Sequence, residues 1–201
     1  MLNRSVMRTA FRLRVSGLER LPRAGPFVIT PNHASDLDRL ALALAAALPV
    51  ARLRRLHWAG DIVRLFHSVP SRLFCRIVHL FPVDETHPAA AMAAASRVLA
   101  QGGTQVWFPE GWRSPDGQCG RFMPGIAQLL LRTYVPAVPV WIAGTFEALP
   151  RNRRVPRLHQ VTVVFGDPVA LDVLRDEGAG QTDLERITDG LRRRVMALSQ
   201  T

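Results

Sequence analysis

The sequence contains no lysine: all 26 basic residues among its 201 are arginine. Schiff-base catalysis and the phosphate loop of P-loop proteins both need a lysine, so both chemistries are excluded. Arginine instead favours two-pronged contacts with phosphate or carboxylate groups. Only 16 acidic residues oppose the arginines, which gives a formal net charge of +10. This charge indicates anionic partners, for which membrane and nucleic acid are the two bulk classes.

Cysteine and tyrosine are also scarce: the sequence has two cysteines and one tyrosine. Cys75 and Cys119 are isolated from each other and lack the spacing of a metal site. Two isolated cysteines exclude a disulfide scaffold and favour a reducing compartment. Helix-turn-helix, zinc-module and aromatic RNA-binding patterns are missing from the sequence. A basic nucleic-acid-binding protein is therefore a remote alternative, and we expect no nucleic-acid partner.

Long apolar runs are also lacking, since the longest spans the eleven residues Leu40–Val50. A transmembrane helix needs about 20 such residues. The first fourteen residues carry four arginines and no long apolar stretch, which does not fit a signal peptide. We therefore expect no transmembrane helix and no signal peptide, and a peripheral location on the cytoplasmic face of a membrane.

Short apolar segments alternate with helical patterns along the whole chain, without repeats or a linker. The predicted strands are 11–16, 27–30, 56–59, 80–83, 105–108, 137–142 and 159–165. The predicted helices are 36–48, 61–79 with a break at Pro70, 88–100, 126–132 and an amphipathic C-terminal helix within 181–199. This order predicts a single α/β domain over 1–201, with a mixed, largely parallel sheet flanked by helices.

The first candidate site follows a predicted strand, where residues 32–38 read Asn-His-Ala-Ser-Asp-Leu-Asp. An aspartate in the first helical turn can hold one nitrogen of His33 protonated and leave the other as a general base. Asp38 is the candidate for this orienting carboxylate. A structural interpretation competes, because Ser35 and Asp38 also have the spacing of a helix capping box. The two roles are compatible.

The second candidate site follows another predicted strand, where residues 108–114 read Phe-Pro-Glu-Gly-Trp-Arg-Ser. Glycine permits close backbone approach, Arg113 can bind a phosphate through two hydrogen bonds, and Glu110 can accept a hydroxyl. The same residues also fit an ordinary turn with a local Glu110–Arg113 ion pair.

Together the two segments resemble the glycerophospholipid acyltransferase family, which includes lysophosphatidic acid acyltransferases. Asn32, His33, Ser35 and Asp38 match its Asn-His-x-Ser-x-x-Asp motif, and residues 108–114 match its Phe-Pro-Glu-Gly-Thr-Arg-Ser motif except at Trp112. Residues 138–142 resemble its fourth motif, and residues 144–150 and 165–168 are similar to bacterial members. The resemblance covers about 11–169.

The resemblance implies acyl transfer from acyl-CoA or acyl carrier protein to the hydroxyl of a lysophospholipid-like acceptor such as 1-acylglycerol-3-phosphate. His33 and Asp38 would be catalytic, and no cofactor or metal would be required. The residues implied to bind the substrate are Asn32, Ser35, Glu110, Gly111, Arg113 and Ser114. Ser35 as a nucleophile is an alternative that helix capping explains more simply.

Three positions depart from the family pattern and bear on the acceptor. Glu85 stands where an arginine is common, Trp112 replaces threonine, and Met123 replaces a frequent lysine. Arg72 or Arg76 is the candidate to replace the missing phosphate contact. The alternative function is that of an acyltransferase-like module within a larger lipid-synthesis system. Such a module would use a different acceptor, for example one without a phosphate, or none.

Arginine clusters indicate how the chain meets a membrane. One cluster occupies 52–55 and another 151–157, and 61–79 mixes apolar residues with arginines. An arginine near anionic lipid adds about 1 kcal/mol of attraction. These segments predict a peripheral membrane contact, with solvated loops and a core-facing helix pair as the structural alternative.

Overall fold

The computed structural model describes residues 12–46, 56–61, 80–83, 88–153 and 155–200. Within these ranges seven strands form one sheet: β1 Arg14–Ser16, β2 Phe27–Pro31, β3 Leu56–Asp61, β4 Leu80–Val83, β5 Thr104–Val106, β6 Ala137–Ala143 and β7 Thr162–Phe165. The α-helices within the described residues are α1 Leu37–Ala46, α2 Pro88–Ala100, α3 Gly125–Thr133, α4 Thr145–Ala148, α5 Leu171–Glu177 and α6 Asp183–Ala197. In the described part of the chain, 3₁₀ helices cover Leu18–Arg20 and Leu198–Gln200.

The strands lie in the order β1-β7-β6-β2-β5-β3-β4. All neighbouring pairs are parallel except β6 and β7, which are antiparallel. β1 and β7 therefore run opposite to the other five strands. The predicted mixed, largely parallel sheet flanked by helices is confirmed. Because β6, β2 and β5 are parallel neighbours, the loops that follow them meet at one edge of the sheet, the place where α/β folds bind ligands.

Helices cover both faces of the central strands. All five residues of β2 are buried, as expected for a parallel strand packed on two sides. Phe27 and Ile29 contact a core that includes Leu37, Ala41 and Leu42 of α1. Val28 points to the other face, where the buried side chains of α2, α3, α5 and α6 form a second core. Successive side chains of β2 thus point to opposite faces of the sheet and pack into two separate hydrophobic cores.

The structure shifts several predicted boundaries. β5 ends at Val106 rather than 108, because the chain leaves the sheet before Pro109, which has no N–H to donate. β3 extends to Asp61, where a helix was predicted to begin. The rest of that predicted helix lies outside the described residues. Sequence periodicity missed α4 and α5, which have four and seven residues and are too short for a clear helical pattern.

The C-terminal helix begins as predicted. Thr182 Oγ1 accepts the N–H of Glu185, and the Glu185 carboxylate accepts the N–H of Thr182, which completes a capping box. Ile187, Leu191 and Val195 of α6 are buried along one face. Among the described residues, no helix is both long enough and apolar enough to cross a bilayer.

Candidate active site

His33 and Asp38 contact each other directly at the start of α1. His33 Nδ1 lies 2.9 Å from Asp38 Oδ2, and both side chains are almost fully buried. A carboxylate acceptor at this distance places the ring proton on Nδ1, which leaves the lone pair on Nε2. Within the described part of the chain, nothing hydrogen-bonds to Nε2. This arrangement can accept a proton from a bound hydroxyl.

The same Asp38 oxygen also caps the turn before α1. Oδ2 accepts the backbone N–H of Ala34 at 2.7 Å and of Ser35 at 2.8 Å, in addition to the histidine. The helix cap and the histidine contact, which the sequence left as compatible alternatives, therefore coexist in one carboxylate. The other oxygen, Oδ1, is buried and has no hydrogen-bond partner. Asp38 is thus fixed in orientation by three donors on one oxygen.

Ser35 is held by the backbone on both sides. Its hydroxyl donates to the carbonyl of Leu149 at 2.7 Å and accepts the N–H of Leu37 at 3.2 Å. The serine is fully buried. These contacts make it an N-cap that also fastens α1 to the segment after β6. The hydroxyl proton is engaged by Leu149, which gives Ser35 no path to act as a nucleophile through His33.

Asn32 joins the loop after β2 to the end of β6. Its side chain donates to the carbonyl of Ile142 at 2.9 Å and accepts the N–H of Ile142 at 2.7 Å. The amide therefore takes the place of a backbone strand partner, and only 2% of the residue is exposed. Asn32 was a candidate substrate contact, and the structure places its side chain on the protein backbone.

Glu110 connects the two predicted site segments. Its Oε1 accepts the N–H of His33 at 2.7 Å, and its Oε2 accepts the N–H of Gly120 at 2.9 Å. The carbonyl of His33 in turn accepts the N–H of Ser114 at 2.7 Å. Burial raises the pKa of Glu110, and the two backbone donors oppose that shift. The local Glu110–Arg113 ion pair considered from sequence is wrong, because both carboxylate oxygens face backbone N–H groups.

Arg113 pairs instead with Asp36, at 2.6 Å between Nη1 and Oδ2. The arginine side chain is 17% exposed and the aspartate side chain 55% exposed, so the pair lies at the rim of the site. Gly111 precedes it with φ of +77°, a left-handed conformation that glycine adopts without strain. The structure thus brings a guanidinium close to the His33 loop, but one that already has an acidic partner.

An open groove of about 360 Å³ lies beside this turn and is lined by residues of the loop 110–121. Trp112 forms part of its wall and is 58% exposed. Ser114 Oγ, near the groove, donates to Asp116 Oδ1 at 2.8 Å. The groove adjoins His33, because Glu110 and Ser114, which both line it, bind the backbone of His33. A polar headgroup could therefore lie next to the histidine.

Phe108 and Arg39, to which the sequence analysis gave no role, also belong to the surroundings of the site. The ring of Phe108 lies 4.1 Å from the imidazole, centroid to centroid, at an angle of 31°. The guanidinium carbon of Arg39 lies 5.7 Å from the centre of the same Phe108 ring. Desolvation by burial lowers the pKa of Arg39. Phe108 was visible in its motif without a stated role, whereas nothing in the sequence marks Arg39 as a half-buried charge.

Some predicted residues are not part of this geometry. Arg72 and Arg76, the candidate phosphate or membrane contacts, lie outside the described residues, as does Glu85. Within the described ranges, no group of three or more His, Cys, Asp or Glu side chains is arranged to hold a metal ion. The catalytic and acceptor-binding roles given to the other residues stay predictions.

Comparison with known proteins identifies the chain's relatives. It is 26% identical to mouse 1-acyl-sn-glycerol-3-phosphate acyltransferase alpha over 197 residues, which covers 93% of this chain and 63% of the mouse protein. It is 28% identical to the 1-acyl-sn-glycerol-3-phosphate acyltransferase of Limnanthes douglasii, over 80% of this chain and 55% of that protein. The chain thus spans less than two thirds of the length of these relatives.

A solved structure has the same fold. The chain superposes on PlsC from Thermotoga maritima, a 1-acyl-sn-glycerophosphate (LPA) acyltransferase, with a TM-score of 0.73 and 21% identity. The match covers 99% of this chain and 78% of PlsC. A sequence model of the family described as Acyltransferase matches residues 12–143, about two thirds of the chain. The family predicted from the two site segments is therefore confirmed: the chain belongs to the Acyltransferase family.

Proposed function

We propose that the chain transfers a fatty acyl group from an acyl thioester to the hydroxyl of a lysophospholipid-like acceptor, with His33 as the general base. The observation that carries this proposal is the 2.9 Å contact between His33 Nδ1 and Asp38 Oδ2, which leaves Nε2 available. General-base catalysis requires a positioned, correctly protonated imidazole of this kind. Family membership supports the reaction class.

The reaction proceeds in two proton transfers at His33 Nε2. The imidazole takes the proton of the acceptor hydroxyl while the oxygen attacks the thioester carbonyl carbon, which forms a tetrahedral intermediate and an imidazolium. The carbon–sulfur bond then breaks, and the imidazolium returns its proton to the thiolate. An ester and a free thiol leave. The ionised Asp38 stabilises the imidazolium between the two steps, as the orienting aspartate does in a serine triad.

The acceptor we propose is 1-acylglycerol-3-phosphate. The named substrates of the relatives support this choice. Arg113 and Ser114 line the groove beside His33, and we propose that Arg113 binds the phosphate and Ser114 another part of the acceptor. Gly111, in the turn before Arg113, would allow the acceptor to approach the backbone. Glu110 would act mainly by holding His33 and Gly120. The proposed donor is acyl-CoA or acyl carrier protein, and the chemistry of this site calls for no metal or cofactor.

A membrane surface is the proposed partner. The loop after β6 lies at the same sheet edge as His33, and Arg151, Arg153 and Arg157 are exposed there. Val155 and Leu158 of the same loop are 74% and 78% exposed. Exposed apolar residues between arginines are typical of peripheral contact with anionic lipid. Peripheral binding at this edge would bring lipid substrates to the site.

A second candidate function is an acyltransferase-like module with a phosphate-free acceptor or none. The ion pair between Arg113 and Asp36 favours it, since a phosphate would have to displace the carboxylate. Trp112, which is 58% exposed at the groove, also provides apolar surface where a phosphate acceptor needs polar contacts.

Thiol release distinguishes the two candidates. Wild type and His33→Ala would be given long-chain acyl-CoA or acyl carrier protein, with and without a panel of lysolipids and phosphate-free acceptors. We expect acceptor-dependent release that falls by roughly 10²–10⁴-fold in the variant. His159→Ala, which removes an exposed histidine, is the matched control and should retain activity. Folded wild type that releases no thiol with any pair would contradict the proposed function.

A further inference from the structure

Arg192 of α6 reaches out of its helix and binds the groove loop, which we define as residues 115–121. Its Nε donates to the carbonyl of Gly120 at 2.8 Å, and its Nη2 donates to the carbonyl of Cys119 at 3.2 Å. The arginine is half-buried. One guanidinium therefore spans two consecutive carbonyls, a geometry that suits its fixed planar fork and that a lysine ammonium reproduces poorly.

The bound loop is the one that supports the catalytic histidine. The N–H of Gly120 donates to Glu110 Oε2 at 2.9 Å, and the other oxygen of Glu110 accepts the N–H of His33 at 2.7 Å. A Cβ added at Gly120 would lie 3.0 Å from Glu110 Oε2, so the loop approaches the carboxylate closely. A continuous series of hydrogen bonds thus joins Arg192 to the backbone of His33.

Arg192 differs from the two arginines that follow it in α6. Arg193 is exposed and pairs with Asp189 four residues earlier, and Arg194 pairs with Glu177 of α5. Both of these contacts link helical residues at the surface. Arg192 alone among the three binds the groove loop, and it lies beyond residues 12–143, which the family model matches. The contact therefore joins α6 to Cys119 and Gly120, which lie inside the matched region.

We propose that Arg192 is a positioning residue: by holding the carbonyls of Cys119 and Gly120, it keeps the Gly120 N–H on Glu110 and so fixes the groove and the backbone of His33. The catalytic part of this inference rests on the proposed acyl transfer at His33. The structural part, that Arg192 holds the groove loop in place, does not depend on acyl transfer, because it concerns only the conformation of that loop.

The thiol of Cys119 reports on the groove loop without any enzymatic assay. Cys119 is half-buried, and burial raises the pKa of its thiol to about 12, so it should react slowly with a maleimide. Peptide mass spectrometry separates its labelling from that of Cys75. We expect Arg192→Gln to label Cys119 about tenfold faster or more, because the loop loses two charge-assisted hydrogen bonds. Arg192→Lys should restore part of the protection.

Arg193→Gln is the matched control, since it removes the same charge from the next position of α6. Its labelling rate should stay within about twofold of wild type. Equal rates for Arg192→Gln and Arg193→Gln in folded protein would overturn the proposal. A third outcome is fast labelling of Arg192→Gln together with a wild-type protein that transfers no acyl group. It would support the role of Arg192 in the loop and contradict the proposed function.

The kinetic arm separates positioning from a loss of folded enzyme. Fewer folded molecules lower the apparent kcat and leave the KM values unchanged. A displaced groove loop raises the KM of the acceptor and lowers kcat, with little change in the KM of the donor. We expect this second pattern for Arg192→Gln and an intermediate one for Arg192→Lys, both measured well below the unfolding temperature. Unchanged KM for the acceptor would overturn the catalytic part.

Discussion

At the scale of single residues, Arg113 and Asp36 decide how the groove receives a charged headgroup. The guanidinium is already neutralised by the carboxylate at 2.6 Å, so an incoming phosphate competes with Asp36. A bidentate guanidinium–phosphate contact would replace this ion pair with two charge-assisted hydrogen bonds. The proposed affinity for phosphate therefore depends on both Arg113 and Asp36.

This competition predicts opposite effects for two variants. Arg113→Gln should raise the KM for a phosphate-bearing acceptor by roughly 10- to 100-fold, the effect of losing a hydrogen bond to a charged group. Asp36→Asn should lower that KM, since it removes the competing charge. Arg121→Gln, which also removes an arginine from the groove lining, is the control. If Arg113→Gln affects phosphate-bearing and phosphate-free acceptors equally, then Arg113 does not bind the phosphate.

Glu110 predicts a pH dependence of stability. Burial raises the pKa of its carboxyl above the ordinary value of 4.5, so the folded state holds the proton more tightly than the unfolded state. The resulting stabilisation is complete below pH 4.5 and is lost as the pH rises through the raised pKa. Glu110→Gln removes this titration and also leaves one acceptor oxygen for two backbone donors, which costs about 1–3 kcal/mol at every pH.

Urea unfolding from pH 4 to pH 8 tests this dependence. The difference in the free energy of unfolding, wild type minus Glu110→Gln, should decrease as the pH rises above about 4.5, because only the wild type loses a bound proton. A difference that stays constant over this range would show that Glu110 titrates alike in the folded and unfolded states.

At the scale of elements, the loop that follows β6 carries the proposed membrane contact. Arg151, Arg153 and Arg157 are exposed beside Val155 and Leu158. Replacing the three arginines with glutamine should weaken binding to anionic vesicles by roughly 100-fold at low salt, at about 1 kcal/mol for each charge. Vesicle flotation measures this directly. The control replaces Arg23, Arg97 and Arg132, which are exposed and precede β2, β5 and β6, so they lie at the opposite sheet edge.

The vesicle experiment also tests the orientation of the protein. If both triple variants lose the same affinity, then the net charge of the chain attracts the membrane and this loop has no special part. Binding that does not distinguish anionic from neutral vesicles would contradict the role of the arginines. Val155→Ser with Leu158→Ser should weaken binding further at high salt, where charge attraction is screened and apolar insertion remains.

At the scale of the whole molecule, the sequence predicts what depends on neighbouring residues. The strand predicted at 27–30, the helix predicted at 88–100 and the C-terminal helix within 181–199 rest on local patterns, and each is confirmed. The contact between His33 and Asp38 is also local, since the two residues are five positions apart. Local patterns therefore fix the elements and the centre of the candidate site.

The remaining contacts of the site join distant parts of the chain. Asn32 binds Ile142 across 110 residues, Glu110 binds His33 across 77, and Arg192 binds Gly120 across 72. Each depends on the strand order, which places β2 between β6 and β5 and packs α6 nearby. A single sequence contains no periodicity that reports such pairs. For this reason the sequence offered Glu110 only as a substrate contact or a partner of Arg113, and it indicated no role for Arg192.

The backbone of His33 is held on both sides by the loop after β5, through its N–H on Glu110 and its carbonyl on the N–H of Ser114. These hydrogen bonds join the loop after β2 to the loop after β5, much as backbone hydrogen bonds join two short strands, and the imidazole extends from this junction. The ordering entropy of the histidine is lost once, when the chain folds, and not again at each encounter with a substrate. If His33 is the general base that we propose, its backbone is already in position before each turnover begins.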